Sequence, residues 1–383
     1  MKKIALGVAA LNLVACGGAQ MDSLEEGLAN PNFDATTLAA SAHADDKIPG
    51  HYIVVLREGV NPADFAYGHG ISPNFIYRTA LNGFAGPIGP GVLSRIEQDS
   101  RVAYVEQDGV ARTSAQTIPY GISNVAATTA PSVLAGNGSG ALAGPTVFVI
   151  DTGIATHADL NIVGHVNYAS GQNTDCNGHG THVAGTVGAK DDTNYVVGVA
   201  PGVRLFGVKV LDCAGSGTYS GVINGMNYVA SSTIGQKVAN MSLGGGFSQA
   251  VNDAARNMVN NNVAVAVAAG NDGADASTKS PASEPSVLTV AAHDSNNVNA
   301  SWSNFGSVVD LSAPGVNTLS TSKSGGTTTM SGTSMASPHV AGALAIYRAK
   351  NPTASGAQAI SGVKANTSGT SSRGFGRLYV GNW

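Results

Sequence analysis

Charge is scarce in this chain. Only 11% of its 383 residues are Asp, Glu, Lys or Arg, less than half the roughly 25% of an average soluble protein, which excludes disorder sustained by charge. The charge present has no strong sign: up to Arg112 there are 8 basic and 12 acidic residues, and beyond it 12 of each. The larger part is neutral and lacks the electrostatic footprint of a nucleic-acid partner. Long apolar runs are missing too. The run over residues 4–15 spans 12 residues, against about 20 for a bilayer-crossing helix. Glycine is the excess: fifty residues, nearly twice the usual share of about 7%. They follow no three-residue period, so collagen is excluded, and tight turns and close backbone approaches are expected instead. At about 150 residues per domain the length accommodates two or three folded units.

Lys2 and Lys3 ahead of the short apolar run read as an export signal over residues 1–16. It ends Leu13-Val14-Ala15-Cys16, followed by Gly17-Gly18. That resembles the bacterial lipobox, in which the cysteine is acylated and becomes the new N-terminus; the plainer alternative is ordinary cleavage near Cys16. Residues 17–45 are polar and without period, suiting a tether. Of three cysteines, export leaves Cys176 and Cys213 in an oxidising compartment. One disulfide is the natural pairing, with two buried free thiols as the alternative.

From His51 the chain alternates as a strand, Tyr52-Ile53-Val54-Val55-Leu56, and a second apolar segment runs Phe75-Ile76-Tyr77. Val92, Leu93 and Ile96 then share a helical face, and Val102-Ala103-Tyr104-Val105 is again strand-like. These describe a small α+β unit ending near Arg112. Beyond Pro145, short apolar runs at 147–150, 203–210, 238–241, 263–268 and 287–290 suit strands buried on both faces of a parallel sheet. Helical patterns lie between and after them, at 180–187, 219–230, 248–260 and 334–349. The fold class is therefore α/β, a doubly wound and mostly parallel sheet preceded by a small α+β domain.

Three stretches carry chemistry. Strand 147–150 ends in Asp151-Thr152-Gly153, a carboxylate at the sheet edge where open α/β folds build their sites. Alone, such an aspartate is more often a helix cap or turn residue. Next, 28 residues on, comes Asn177-Gly178-His179-Gly180-Thr181-His182. Small residues around His179 let a helix start lie close to neighbouring backbone while the imidazole projects into a cleft. His179 and His182 could instead be metal ligands on one helical face, but no third ligand falls at matching spacing. Finally, 155 residues after His179, Ser334 opens a helix in Ser331-Gly332-Thr333-Ser334-Met335-Ala336-Ser337-Pro338-His339. Its first-turn N–H groups favour negative charge. Ser334 alone is as good a cap as a nucleophile.

Taken together, the order Asp, His, Ser and these flanks resemble the subtilisin-like serine proteases. The likeness covers about residues 115–380 and is nearest the proteinase K-like branch, through Val210-Leu211-Asp212, Gly215-Ser216-Gly217, Ser242-Leu243-Gly244-Gly245, Ala268-Ala269-Gly270-Asn271 and Ser280-Pro281-Ala282-Ser283-Glu284-Pro285-Ser286-Val287. Residues 50–112 are similar to that family's inhibitory propeptide, with Ala80-Leu81-Asn82-Gly83-Phe84 and Val102-Ala103-Tyr104-Val105-Glu106-Gln107-Asp108 as further marks. The shortened stretch 60–75, with Pro62 and Pro73, tells against the propeptide's first helix. The resemblance implies a propeptide at 46–112 and a catalytic domain at 113–383.

It further implies Ser334 as nucleophile, His179 as base, Asp151 orienting it, and the Asn271 amide with the Ser334 N–H as oxyanion donors. Edges at Gly215, Ser216 and Gly217 and at Ser242, Leu243, Gly244 and Gly245 would pair with an extended substrate. His182 and His339 are read as structural. A calcium ion, structural rather than chemical, would be held by the carbonyls of Pro285 and Val287 and the carboxylate of Asp310. The pocket for the side chain before the cut would be walled by residues 242–245 and by Ala268, Ala269 and Gly270, with Lys279 near its floor. That ammonium is expected to turn outward and stay hydrated, leaving broad apolar or aromatic selectivity; turned inward it would favour Glu or Asp. The implied partners are protein and peptide substrates and the chain's own propeptide as inhibitor. A membrane is met only through a lipid on Cys16, no nucleic acid is bound, and the enzyme acts as a monomer, extracellular or periplasmic once mature.

Overall fold

The computed structural model describes residues 47–109, 116–138 and 141–383; the export signal, the tether and Cys16 lie outside the described residues. The chain divides into two compact units, one up to Thr113 and the other from Ser114. In the first, strands β1 (Lys47–Leu56), β2 (Phe75–Tyr77), β3 (Gly83–Pro87) and β4 (Val102–Gly109) form an antiparallel sheet in the order β2-β3-β1-β4. Its core gathers Val54, Leu56, Phe65, Phe84, Ile96 and Val102, drawn from the strands and from helices α1 (Pro62–Gly68) and α2 (Pro90–Ile96).

Helix α1 corrects the reading of residues 60–75. Pro62 occupies the first turn, where a missing N–H costs nothing, and the Asn61 side chain caps the helix by accepting from Ala63 N at 3.0 Å and Asp64 N at 3.4 Å. The proline starts this helix instead of breaking it.

The second unit opens with a short helix, α3 (Tyr120–Asn124), and runs β5 (Thr146–Asp151), β6 (Ile162–Asn167), α4 (His179–Gly188), β7 (Arg204–Lys209), α5 (Tyr219–Ser231), β8 (Lys237–Met241), β9 (Gly245–Gly246), α6 (Gln249–Asn260), β10 (Val263–Ala268), β11 (Lys279–Ser280), β12 (Leu288–His293), β13 (Leu311–Pro314), β14 (Thr318–Thr321), β15 (Thr327–Met330), α7 (Thr333–Lys350), α8 (Gly356–Ala365), β16 (Thr367–Thr370) and β17 (Gly376–Leu378). Nine strands make one sheet, in the order β16-β17-β13-β12-β10-β8-β5-β7-β6. All are parallel except β16, which runs antiparallel to β17. The doubly wound class read from the sequence is the class observed.

Every residue of β5, β8, β10 and β12 is buried, as two-face coverage of a parallel sheet requires. From β5 the chain passes to β6 at the sheet edge, comes back to β7 between β6 and β5, and then crosses to place β8 on the other side of β5. That reversal opens a crevice at the carboxyl ends of β5 and β8, the place where such sheets bind ligands. Among the described residues no helix is long and apolar enough to cross a membrane.

Candidate active site

Asp151, the last residue of β5, is fully buried. Its Oδ1 accepts from Thr152 N at 2.7 Å and faces His179 Nδ1 at 2.7 Å. His179 starts α4, and local chemistry fixes its place. Gly178, at φ 111°, takes the left-handed turn before the helix. A Cβ on Gly180 would lie 2.1 Å from Gly153 O, so only glycine lets α4 approach the end of β5. Burial alone would lower the His179 pKa, but the charge and hydrogen bond of Asp151, with the charge of Asp175, turn the net shift upward.

Asp175 was not singled out in the sequence, yet it ties this corner together. Its buried carboxylate accepts from Asn177 N, Gly178 N and Thr181 N at 2.8–2.9 Å, and from the hydroxyls of Thr152 (2.9 Å) and Thr181 (2.6 Å). Burial would raise its pKa, and these hydrogen bonds outweigh burial and hold it low. The available signal was a carboxylate four residues ahead of a helix-starting histidine, three residues before the N-cap Gly178 and close enough to reach the first-turn N–H groups. Cys176 and Cys213 are bridged, closing a separation of 37 residues, so the His179 segment is tied to the edge at 215–217.

Ser334 lies in the first turn of α7. Its hydroxyl donates to Ser242 O at 3.1 Å, and Ser242 Oγ donates back to Ser334 O at 2.7 Å. Asn240 extends the brace, with Nδ2 on Ser242 Oγ at 2.9 Å and Oδ1 accepting from Ser337 Oγ at 2.7 Å. The serine hydroxyl is turned to backbone, and such contacts commonly realign when substrate binds. Asn271, just past β10, has its Oδ1 fixed by Thr333 N and Thr333 Oγ1, both at 2.9 Å. This anchor leaves the Asn271 Nδ2 donor free to serve a bound group.

Two adjoining hollows share Leu243, Gly244 and Gly245. The larger, about 610 Å³, holds His179 and the edges at 215–217 and 242–245, with Tyr219 and Val222 below. The smaller, about 380 Å³, holds Ser334, Asn271, Ala268, Ala269, Gly270 and Lys279. Every residue read as binding substrate therefore lines one hollow or the other. Lys279 departs from the expected free, hydrated pose: its ammonium is 2.9 Å from Asp272 Oδ2 and its side chain is 27% exposed. The Lys279 hydrogen bond holds Asp272 below the usual carboxylate range. His182 and His339 are buried and bonded to carbonyls, of Thr318 at 3.0 Å and Met335 at 2.8 Å. Burial lowers their pKa values to about 4 and about 3.

The residues read as calcium ligands fit poorly. Asp310 Oδ2 accepts from Thr289 N at 2.8 Å and Oδ1 is paired with the Lys364 ammonium, so a side-chain cation already sits on the carboxylate that would hold the metal beside Pro285 and Val287. A better fit lies elsewhere. Asp159 is 1% exposed, its Oδ1 has no partner, and Val196 N donates to Oδ2 at 3.2 Å. Burial, with the charge of Asp192 adding to it, pushes its carboxyl up to about 7. The carbonyls of Lys190 and Val196 are drawn together there by the Gln116 amide, at 2.8 and 3.2 Å. Among the described residues no three His, Cys, Asp or Glu form a metal cluster. Carboxylate, amide and carbonyl oxygens are nevertheless the donor mix of a hard cation.

Residues 143–378 match the family described as Peptidase_S8, Subtilase family. A cuticle-degrading protease of Metarhizium anisopliae is 46% identical, over 72% of this chain and 72% of its own length. Proteinase R of Parengyodontium album is 41% identical over 79% and 80%. An extracellular serine proteinase of a Thermus species is 40% identical over 83% and 85%. A solved structure, of a cold adapted subtilisin-like serine proteinase, covers 68% of this chain and 97% of its own with a TM-score of 0.61 and 40% identity.

Proposed function

The chain belongs to the subtilase family, and from that premise we propose that it is an exported endopeptidase that hydrolyses protein substrates through an acyl-enzyme on Ser334. The observation that carries the reading is the 2.7 Å contact between buried Asp151 and His179, which lines a hollow adjoining the one that holds Ser334. His179 takes the Ser334 proton as Oγ attacks the peptide carbonyl, and later delivers it to the leaving amine. Asp151 holds the ring with Nδ1–H toward it and stabilises the imidazolium. The oxyanion is met by Asn271 Nδ2 and the Ser334 backbone N–H. Water then enters by the same route in reverse and frees the acid. The strand edges at 215–217 and 242–245 align the substrate, and glycine and alanine walls leave room for an apolar or aromatic side chain before the cut.

Residues 46–112 act as the inhibitory propeptide. In support, the Thermus relative aligns over 83% of this chain, a longer stretch than the second unit alone provides. Export rests on the first sixteen residues and on that relative's description as extracellular. Acylation of Cys16 with a cut near Arg112 would leave the propeptide on the membrane and release the enzyme. A serine-directed phosphonate should label Ser334 and abolish casein hydrolysis, while a chelator in a brief assay should not. Undiminished hydrolysis by fully labelled enzyme would overturn the reading. N-terminal sequencing of secreted material locates the maturation cut.

A structural calcium ion belongs at Asp159 and not at Asp310. Asp159, Asp192, Gln116 and the carbonyls of Lys190 and Val196 would hold it, and its contribution is to stability. The sign follows from the Asp159 carboxyl. Its folded pKa of about 7 exceeds the unfolded value near 4, so without metal the fold loses stability as pH rises from about 4 through 7. A cation that binds the ionised form reverses the loss. Calcium at a hundred times its Kd should therefore raise Tm by roughly 5–10 °C at pH 8 and by much less at pH 5. Asp159→Asn should abolish the response and Asp310→Asn should leave it intact. The opposite pattern in melting curves would return the ion to Asp310.

A further inference from the structure

Two charged side chains stand in the wall of the hollow beside Ser334, and the reaction described above uses neither. Apart from Asn271, Thr333 and Ser334, that wall is glycine, alanine, Leu243 and the pair Asp272 and Lys279. Lys279 lies on β11 opposite Gly246 of β9, so it projects from the strand that backs the substrate edge. Asp272 follows Asn271 directly and is held by its backbone, whose N–H donates to Asn304 Oδ1 at 2.9 Å. The 2.9 Å ion pair thus spans from the oxyanion segment to the substrate edge. The Asp272 side chain is 55% and the Lys279 side chain 27% exposed. A pair this wet contributes little to stability; its consequence is that each charge hides the other from a bound side chain.

We propose that the Lys279–Asp272 pair sets selectivity for the residue before the cut by cancelling its own charge, so that the hollow accepts apolar and aromatic side chains and discriminates against both signs. The proposal rests on the protease reading and refines it. An acidic side chain must compete with Asp272 for the ammonium, and a basic one must compete with Lys279 for the carboxylate. Removing either partner leaves the other as a single unpaired charge in a small-walled hollow, where it selects the opposite sign through a charge-assisted hydrogen bond.

The test compares kcat/KM for tetrapeptide anilides with Phe, Leu, Glu or Lys before the cut, in the mature enzyme and in Asp272→Asn, Lys279→Gln and the double variant. Phosphonate labelling counts intact sites in each. The parent enzyme should prefer Phe and Leu. Asp272→Asn should raise the Glu to Phe ratio by about tenfold, Lys279→Gln should raise the Lys to Phe ratio by about as much, and the double variant should do neither. Both gains should shrink in 1 M salt, where screening reaches down to about 3 Å. A parent enzyme that cleaves Glu better than Phe, or single variants with unmoved ratios at full labelling, would overturn the charge pair while leaving the protease intact. Absence of both labelling and cleavage would instead remove the protease reading itself.

Discussion

Ser334→Ala is expected to cut turnover by about 10⁶-fold, the scale on which subtilisin-type enzymes depend on their nucleophile, while leaving the fold in place. The structure gives both halves of that expectation. The Ser334 hydroxyl makes one hydrogen bond, to Ser242 O, and the return bond from Ser242 Oγ ends on the Ser334 carbonyl, which alanine keeps. The brace through Asn240 and Ser337 does not touch the hydroxyl. The loss is then one partly buried hydrogen bond, about 1 kcal/mol, in a helix that alanine suits well. Melting should shift by a few degrees at most, casein hydrolysis should vanish, and phosphonate labelling with it. If maturation is autocatalytic, the variant should also retain an uncut propeptide. Near-normal hydrolysis by Ser334→Ala would end the assignment of the nucleophile.

Much of the second unit was legible because its strands are buried on both faces. Val147-Phe148-Val149-Ile150 and the run at 263–268 have no polar face to confuse the pattern, and the structure buries every residue of both. Strand β6 was not found, since Ile162–Asn167 is half-buried and interrupted by Gly164 and His165. Helix α8 escaped for a similar reason. Its body, Gly356–Ala365, has a weak apolar stripe, although Ser355 and Gln358 form a reciprocal capping box at its start. Pro62 misled because a proline interrupts a helix interior but suits its first turn.

At the site, Asp151, His179 and Ser334 could be picked out because their order and their flanking stretches together resemble those of the subtilisin-like serine proteases, although each residue alone was ambiguous. The partners that tune them could not. Asp272 meets Lys279, and Lys364 meets Asp310 across 54 residues, through turns that no spacing rule encodes. The cation site proposed at Asp159 is hidden most deeply, since two of its ligands would be backbone carbonyls, which every residue possesses.

Asn271→Ala should lose about 10²–10³ in kcat with KM little changed, the cost known for one such donor in a related subtilisin, or about 3–4 kcal/mol. The asymmetry between kcat and KM follows from where the donor acts. Asn271 Oδ1 is held by Thr333 N and Oγ1, which fixes the amide plane and presents Nδ2 before substrate arrives. A donor oriented in advance gains most when the carbonyl oxygen becomes an oxyanion, and little from the planar ground state. Folding should survive. Thr333 Oγ1 still accepts from Gly270 N at 3.1 Å, so the structural cost is confined to two Thr333 donors that lose their acceptor, the N–H and the hydroxyl, about 1–3 kcal/mol each. Asn271→Asp separates the two roles: it keeps the acceptor that anchors Thr333 but sets a negative charge where the oxyanion forms. Its kcat should therefore fall further than that of the alanine variant, although its melting temperature should lie nearer the parent. An aspartate variant that turns over faster than the alanine variant, or an alanine variant whose loss lies in KM, would show that Asn271 serves the fold of the α7 entrance and not the transition state.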